Sequence, residues 1–258
     1  LYPYLEYTEI SYRISRQSEQ DILQFAQQYR DTPLVAPLLA HWLANLAKRG
    51  KWQTFVTHYD KVAPTEKLAC QHAYGLYKVG MVDQAMTQAE KLWTVGFSQP
   101  DECDPIFNVW READGITPEN AWQRFALSLK ENSKDLSSYL IRFVDRKDKP
   151  FATNYRLVHL KPKTIKRYKS FKAQNTRNRE IILHGVKRLA RIDPLDALLT
   201  LGQYEKLQNF DQAELEETYA YIGVRLAGKS SDLALIDSLP VNLQEQPKLV
   251  EARIRQSL

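Results

Sequence analysis

The sequence predicts an all-α protein, an irregular α-solenoid of short antiparallel helical hairpins, and three observations carry that expectation. Glycine is scarce, 9 in 258 residues, and Ala, Leu, Gln, Lys and Glu dominate runs that lack the valine and isoleucine alternation of strands. Apolar residues recur at three- and four-residue spacing in one short segment after another. Gly50, Gly80 and Gly115 stand 30 and 35 residues apart, a loose period in the range where helical hairpins stack.

Residues 3–14, 19–29, 34–48 and 51–61 each read as a short helix, the third through Leu39, Trp42, Leu43 and Leu46. Helix punctuation separates them: Ser18 with Asp21 three residues on, Thr32-Pro33, Gly50 and Ala63-Pro64. Connections this short make neighbouring helices antiparallel. The clearest hairpin is 66–79, Gly80, 82–95, Gly96, with Ala73 and Ala85 near the small-residue positions of tetratricopeptide repeats. The Trp, Tyr and Pro positions of that consensus are not kept. Further helices are expected over 105–112, 118–131, 134–144, 163–172, 178–191, 194–201, 203–208, 212–226 and 232–238. No long linker divides them, so residues 1–258 are expected to form one domain.

No apolar stretch reaches the roughly 20 residues of a membrane-spanning helix, and the chain opens on Leu1 without a basic and apolar leader, as a trimmed product would. The formal charge of +5 is uneven. Residues 142–191 hold 16 Lys/Arg against 3 Asp/Glu, and the rest of the chain holds 20 against 28. Cys70 and Cys103 are the only cysteines, 33 positions apart, and the five histidines are scattered, so no metal-ligand spacing exists and no cofactor is implied. The residues by themselves leave a disulfide and two buried thiols equally open.

Residues 223–230, "GVRLAGKS", satisfy the phosphate-loop pattern G-x-x-x-x-G-K-[ST]. They follow helical spacing (Leu215, Tyr219, Ile222, Leu226) rather than a buried strand, so a helix end with Gly228 as its stop is expected instead. Residues 163–172 place Ile165, Tyr168 and Phe171 on one stripe and leave Lys163, Lys166, Arg167, Lys169 and Lys172 on a solvated cationic face. Such a face keeps a protein soluble or attracts an anionic partner. No nucleic-acid-reading motif accompanies it, which makes nucleic acid an unfavoured partner. The tryptophans at 42, 52, 93, 110 and 122 are expected in the core, and Asp101, Glu102 and Asp104 as loop and cap residues rather than an acid–base pair. No G-x-S-x-G or H-E-x-x-H is present.

Two stretches, "LYPYLEY" at 1–7 and "ACQHAYGLYKVGMVDQA" through "KLWTVGFSQPDECDPIFNVW" at 69–110, resemble the N-terminal superhelical domain of the soluble lytic murein transglycosylases. "RLAR" at 188–191 and "VRLAG" at 224–228 continue the likeness in the same order. The resemblance implies a U- or ring-shaped superhelix, a bacterial periplasmic location and peptidoglycan glycan strands as partner. It also implies a separate C-terminal lysozyme-like domain that cleaves those strands through a glutamate in a Glu-Ser motif, without metal or cofactor. This chain has no Glu-Ser dipeptide and lacks the Gly-Leu-Met-Gln and Ala-Tyr-Asn motifs of that domain, so no catalytic residue carries over. The expectation is a fragment that ends inside the superhelix, since "VEARIRQSL" stops without a cap. In the oxidising compartment so implied, Cys70 and Cys103 are expected to pair as a disulfide. The competing expectations are a tetratricopeptide-like protein-interaction solenoid and a non-specific binder of anionic polymers through residues 142–191.

Overall fold

The computed structural model describes residues 2 to 229 together with 250, 251 and 254. All regular structure among them is helical, in stacked hairpins, and the chain divides into two compact units, Leu1–Leu136 and Ser137–Leu258.

The first unit runs α1 (Tyr2–Tyr12), α2 (Glu19–Gln28), α3 (Val35–Lys48), α4 (Trp52–His58), α5 (Glu66–Lys78), α6 (Val82–Trp93), α7 (Asp104–Glu112) and α8 (Pro118–Lys130). Ser18 opens α2 with the reciprocal box its sequence announces: its Oγ accepts from the Asp21 N–H, and the Asp21 carboxylate accepts from the Ser18 N–H. Consecutive helices pack against each other from α2 to α7. Ile22, Phe25, Leu38, Leu43 and Phe55 from three of these helices meet in a core from which water is excluded, each side chain contributing about 1.5–3 kcal/mol. The four turns after α3, α5, α7 and α8 are closed in one way. A residue in the left-handed region (Gly50, Gly80, Asp114, Asn132) follows the helix, and the N–H after it reaches back to a carbonyl in the last turn, as from Met81 to Leu76 at 2.9 Å. Gly115 is therefore one residue past the position the glycine period suggested. Asp114 adopts the left-handed backbone, and Gly115 instead lets the Trp110 ring lie against it.

After α9 (Lys134–Leu140), the second unit contains α10 (Lys149–Leu160), α11 (Thr176–Ala190), α12 (Pro194–Glu205) and α13 (Gln212–Lys229). α11 is its axis, touching α10, α12 and α13, and its Ile181, Ile182, Val186 and Leu189 are fully buried. Gly185 gives α10 room: a Cβ there would sit 2.5 Å from Val158 Cγ1.

Here the sequence expectations need four corrections. α10 is not among the expected helices, although Ala152, Tyr155 and Val158 recur every third residue and are buried. α12 is one helix, not two, since Gly202 lies within it with open space around its Cα. Residues 163–172 form two 3-10 turns, Pro162–Lys166 and Tyr168–Phe171, rather than an α-helix. The strict spacing of three between Ile165, Tyr168 and Phe171 matches three residues per turn. α13 continues through Gly228 to Lys229, so Gly228 is not its stop; the helical backbone at 223–229 rules out a phosphate loop there. The expected helix at 232–238 lies outside the described residues.

Candidate functional site

Two groups of residues were singled out in the sequence, and they fall in different units. In the first unit, Cys70 on the buried face of α5 is joined by a disulfide to Cys103, which ends a 3-10 turn (Asp101–Cys103) at the start of α7, with a Cα–Cα distance of 4.7 Å. Both residues are fully buried. One turn before Cys70, Lys67 Nζ lies 2.9 Å from Glu102 Oε1. The hydrogen bond from Lys67 holds the Glu102 carboxyl below its ordinary value, and the same contact raises the Lys67 ammonium above its own. Gln99 Nε2 donates to the Leu92 carbonyl at 2.9 Å, closing the loop between α6 and the disulfide. A covalent bond, an ion pair and a hydrogen bond thus fix the loop after α6. Glu102 is committed to Lys67, and Asp104 forms the first residue of α7, where its charge complements the helix dipole.

In the second unit, Lys163, Lys166, Arg167, Lys169 and Lys172 are exposed, while Ile165 and Phe171 point inward and are buried. The 3-10 turns make a ledge lying against α11 and bonded to the end of α12. Tyr204 O–H donates to the Ile165 carbonyl at 2.5 Å, and burial pushes that phenol well above its ordinary range. Gln208 Nε2 donates to the Phe171 carbonyl at 2.8 Å, and Gln174 Nε2 returns a bond to Leu207 at 3.2 Å. Of the five cations only Lys166 has a carboxylate partner among the described residues, Asp196 at 2.7 Å, which raises the Lys166 ammonium. Tyr204 and Gln208 were not anticipated from the sequence. Nothing local marks them, because their partners lie 39 and 37 residues away.

Trp42, Trp93, Trp110 and Trp122 are buried in the core, with Trp93 and Trp110 in ring contact, and Trp52 is half-buried against Tyr74. Two of the scattered histidines do meet: His159 Nδ1 and His184 Nε2 are 3.1 Å apart between α10 and α11. A hydrogen bond between two ring nitrogens requires one of them to be an unprotonated acceptor. Among the described residues no group of His, Cys, Asp and Glu could hold a metal ion, and no helix is long and apolar enough to cross a membrane.

The architecture defines a class: an all-α protein of stacked, covalently stapled helical hairpins. Within that class the chain is similar to the soluble lytic murein transglycosylases along its whole length, and the likeness fits the N-terminal superhelical domain of those proteins. It is 23% identical over 260 residues to the soluble lytic murein transglycosylase of Escherichia coli K12 and 23% identical over 266 residues to that of Salmonella typhimurium LT2. Both alignments take in all of this chain and 40% of the relative, so the chain spans well under half the length of the curated proteins it matches. A lytic transglycosylase Slt of Pseudomonas aeruginosa, solved as an inactive mutant, superposes with a TM-score of 0.82 at 27% identity, covering 98% of this chain and 41% of that one. The 70-kDa soluble lytic transglycosylase of E. coli gives 0.70 at 22% identity over 99% of this chain and 40% of its own, a likeness of fold. No protein-family model matches the chain.

Proposed function

We propose that this chain is the helical, non-catalytic scaffold of a periplasmic lytic transglycosylase, holding peptidoglycan glycan strands for a lysozyme-like catalytic domain elsewhere in the same protein. One observation carries the reading. The likeness to enzymes named for acting on murein takes in the whole chain but only 40% of those enzymes, and the chain contains none of the Glu-Ser, Gly-Leu-Met-Gln and Ala-Tyr-Asn motifs of the family's catalytic domain. The disulfide supports an oxidising compartment, since paired cysteines persist in the periplasm and not in the cytosol. In this reading the two units are successive parts of one helical array. A single calorimetric transition for residues 1–258 is the expected result, against two separable ones for independent domains.

The reading frame that encodes the chain tests the proposal. It predicts that the reading frame continues past Leu258 through the rest of the superhelix into a lysozyme-like domain with a Glu-Ser dipeptide. A stop codon within a few tens of codons of Leu258 would leave no catalytic partner in the same protein and would refute it.

A further inference from the structure

The cations of residues 142–191 divide by what faces them. Around α11, Arg177 and Lys187 are paired with carboxylates, Asp148 at 3.1 Å and Glu217 at 2.7 Å, and Arg191 Nε donates to the neutral Tyr221 hydroxyl at 2.9 Å. On the ledge, Lys163, Arg167, Lys169 and Lys172 are exposed and have no ion-pair partner among the described residues. Four like charges within ten residues repel one another, and a solvated face would relieve that by moving. This one is held in place. Its backbone carbonyls are tied down by buried Tyr204 and Gln208, and its apolar anchors Ile165 and Phe171 are 0% and 3% exposed. Gly185 admits Ile165 closely to α11 behind it, so a Cβ at that position would lie 3.0 Å from two Ile165 side-chain carbons.

Clustered, unmatched positive charge carried on a backbone held in place is an arrangement completed by a multivalent anion. We propose that the 162–172 ledge is a docking surface for a carboxylate-bearing polymer, engaged by Lys163, Arg167, Lys169 and Lys172. The chemistry favours carboxylates over single-stranded nucleic acid, which binds through aromatic rings on which bases stack. The ledge offers no exposed run of rings: Phe171 is buried, and the one other ring, Tyr168, is half-buried and packs on Tyr204 with centroids 5.0 Å apart. That the natural polymer is the peptide-bearing glycan of murein rests on the function proposed above; the carboxylate site itself does not.

The test compares the whole chain with two ledge variants, in which Lys163, Arg167, Lys169 and Lys172 are all changed to Glu or all to Gln. A control carries Lys48→Glu, Lys51→Glu, Lys61→Glu and Lys91→Glu, exposed cations of the first unit with the same change in net charge as the Glu ledge. Lys166 is left intact so that its contact with Asp196 continues to hold the ledge, and circular dichroism and melting check that each variant folds. The probes are labelled poly-L-glutamate, purified murein sacculi and a single-stranded oligonucleotide of equal charge, at low ionic strength where screening is weak. The expected result is a loss of about tenfold or more in poly-L-glutamate binding for the Glu ledge, a smaller loss for the Gln ledge, and less than about twofold for the control. Equal losses in ledge and control, no loss in either, or tighter binding of the oligonucleotide than of poly-L-glutamate would each overturn the proposal. Ledge-dependent poly-L-glutamate binding with no protein retained on sacculi would uphold the ledge and remove murein as its partner.

Discussion

The two units build their turns by different means. In the first, four helices end on a left-handed residue with the same back-reaching N–H, and the one long loop is secured by a disulfide. In the second, no described residue has positive φ. Side-chain caps start helices in both units (Ser18, Thr65 and Thr117 in the first, Asn175 and Asp193 in the second), but the irregular segment of the second is secured by hydrogen bonds from Tyr204 and Gln208. The charge follows the same divide: residues 1–136 carry 14 Lys/Arg against 17 Asp/Glu, residues 137–258 carry 22 against 14. The contrast separates a part stiffened covalently from a part whose polar side chains fix a charged surface.

The largest expected effect tests the staple. Replacing Cys70 and Cys103 by Ser reopens a loop of 33 residues, and the chain-entropy model gives a loss of about 3–4 kcal/mol, read as a lower denaturation midpoint. Next come the supports of the ledge. Gly185→Ala drives a methyl into Val158 and Ile165 and costs about 1–3 kcal/mol by overpacking, while Tyr204→Phe strands the buried Ile165 carbonyl for about 1–3 kcal/mol. Both are checked by denaturant melts, and both are expected to weaken poly-L-glutamate binding as well, which the cysteine variant leaves intact. Gly80→Ala is smaller, about 1–2 kcal/mol. No atom lies within 4 Å of the added Cβ, so its cost is the left-handed backbone at φ +88° alone.

The smallest effect is the pH dependence of the Lys67–Glu102 pair. The folded carboxyl sits below its ordinary value of 4.5, so the unfolded chain binds the proton more readily. The stabilisation is complete above about pH 4.5 and is lost as pH falls through the lower folded value. Glu102→Gln should abolish that slope, and high salt should flatten it, because Lys67 and Glu102 both face solvent.

The same contrast explains what could be read in advance. In the first unit the apolar spacing, Ser18–Asp21, Gly50 and Gly80 all report local events, and the helices lie within two residues of their expected bounds except α4, whose last expected turn is the 3-10 turn Tyr59–Lys61. In the second, spacing of three at Ile165, Tyr168 and Phe171 was legible as a stripe and misread as α-helical, and α10 went unassigned although its buried Ala152, Tyr155 and Val158 recur every third residue. Tyr204, Gln208 and the Lys67–Glu102 contact act across 35 to 39 residues, where no local pattern exists to be read. The partition of the cationic stretch into exposed charge and buried anchor was visible in the sequence. Which of those charges are matched was not, because Asp148, Asp196 and Glu217 come from other elements.

Prolonged digestion of purified murein sacculi with residues 1–258 alone, followed by chromatography and mass spectrometry of the soluble products, tests the central claim most directly. The scaffold account predicts no anhydromuropeptide above the enzyme-free control, whereas a longer protein carrying the lysozyme-like domain releases it. Anhydromuropeptides released by this chain by itself would contradict the account.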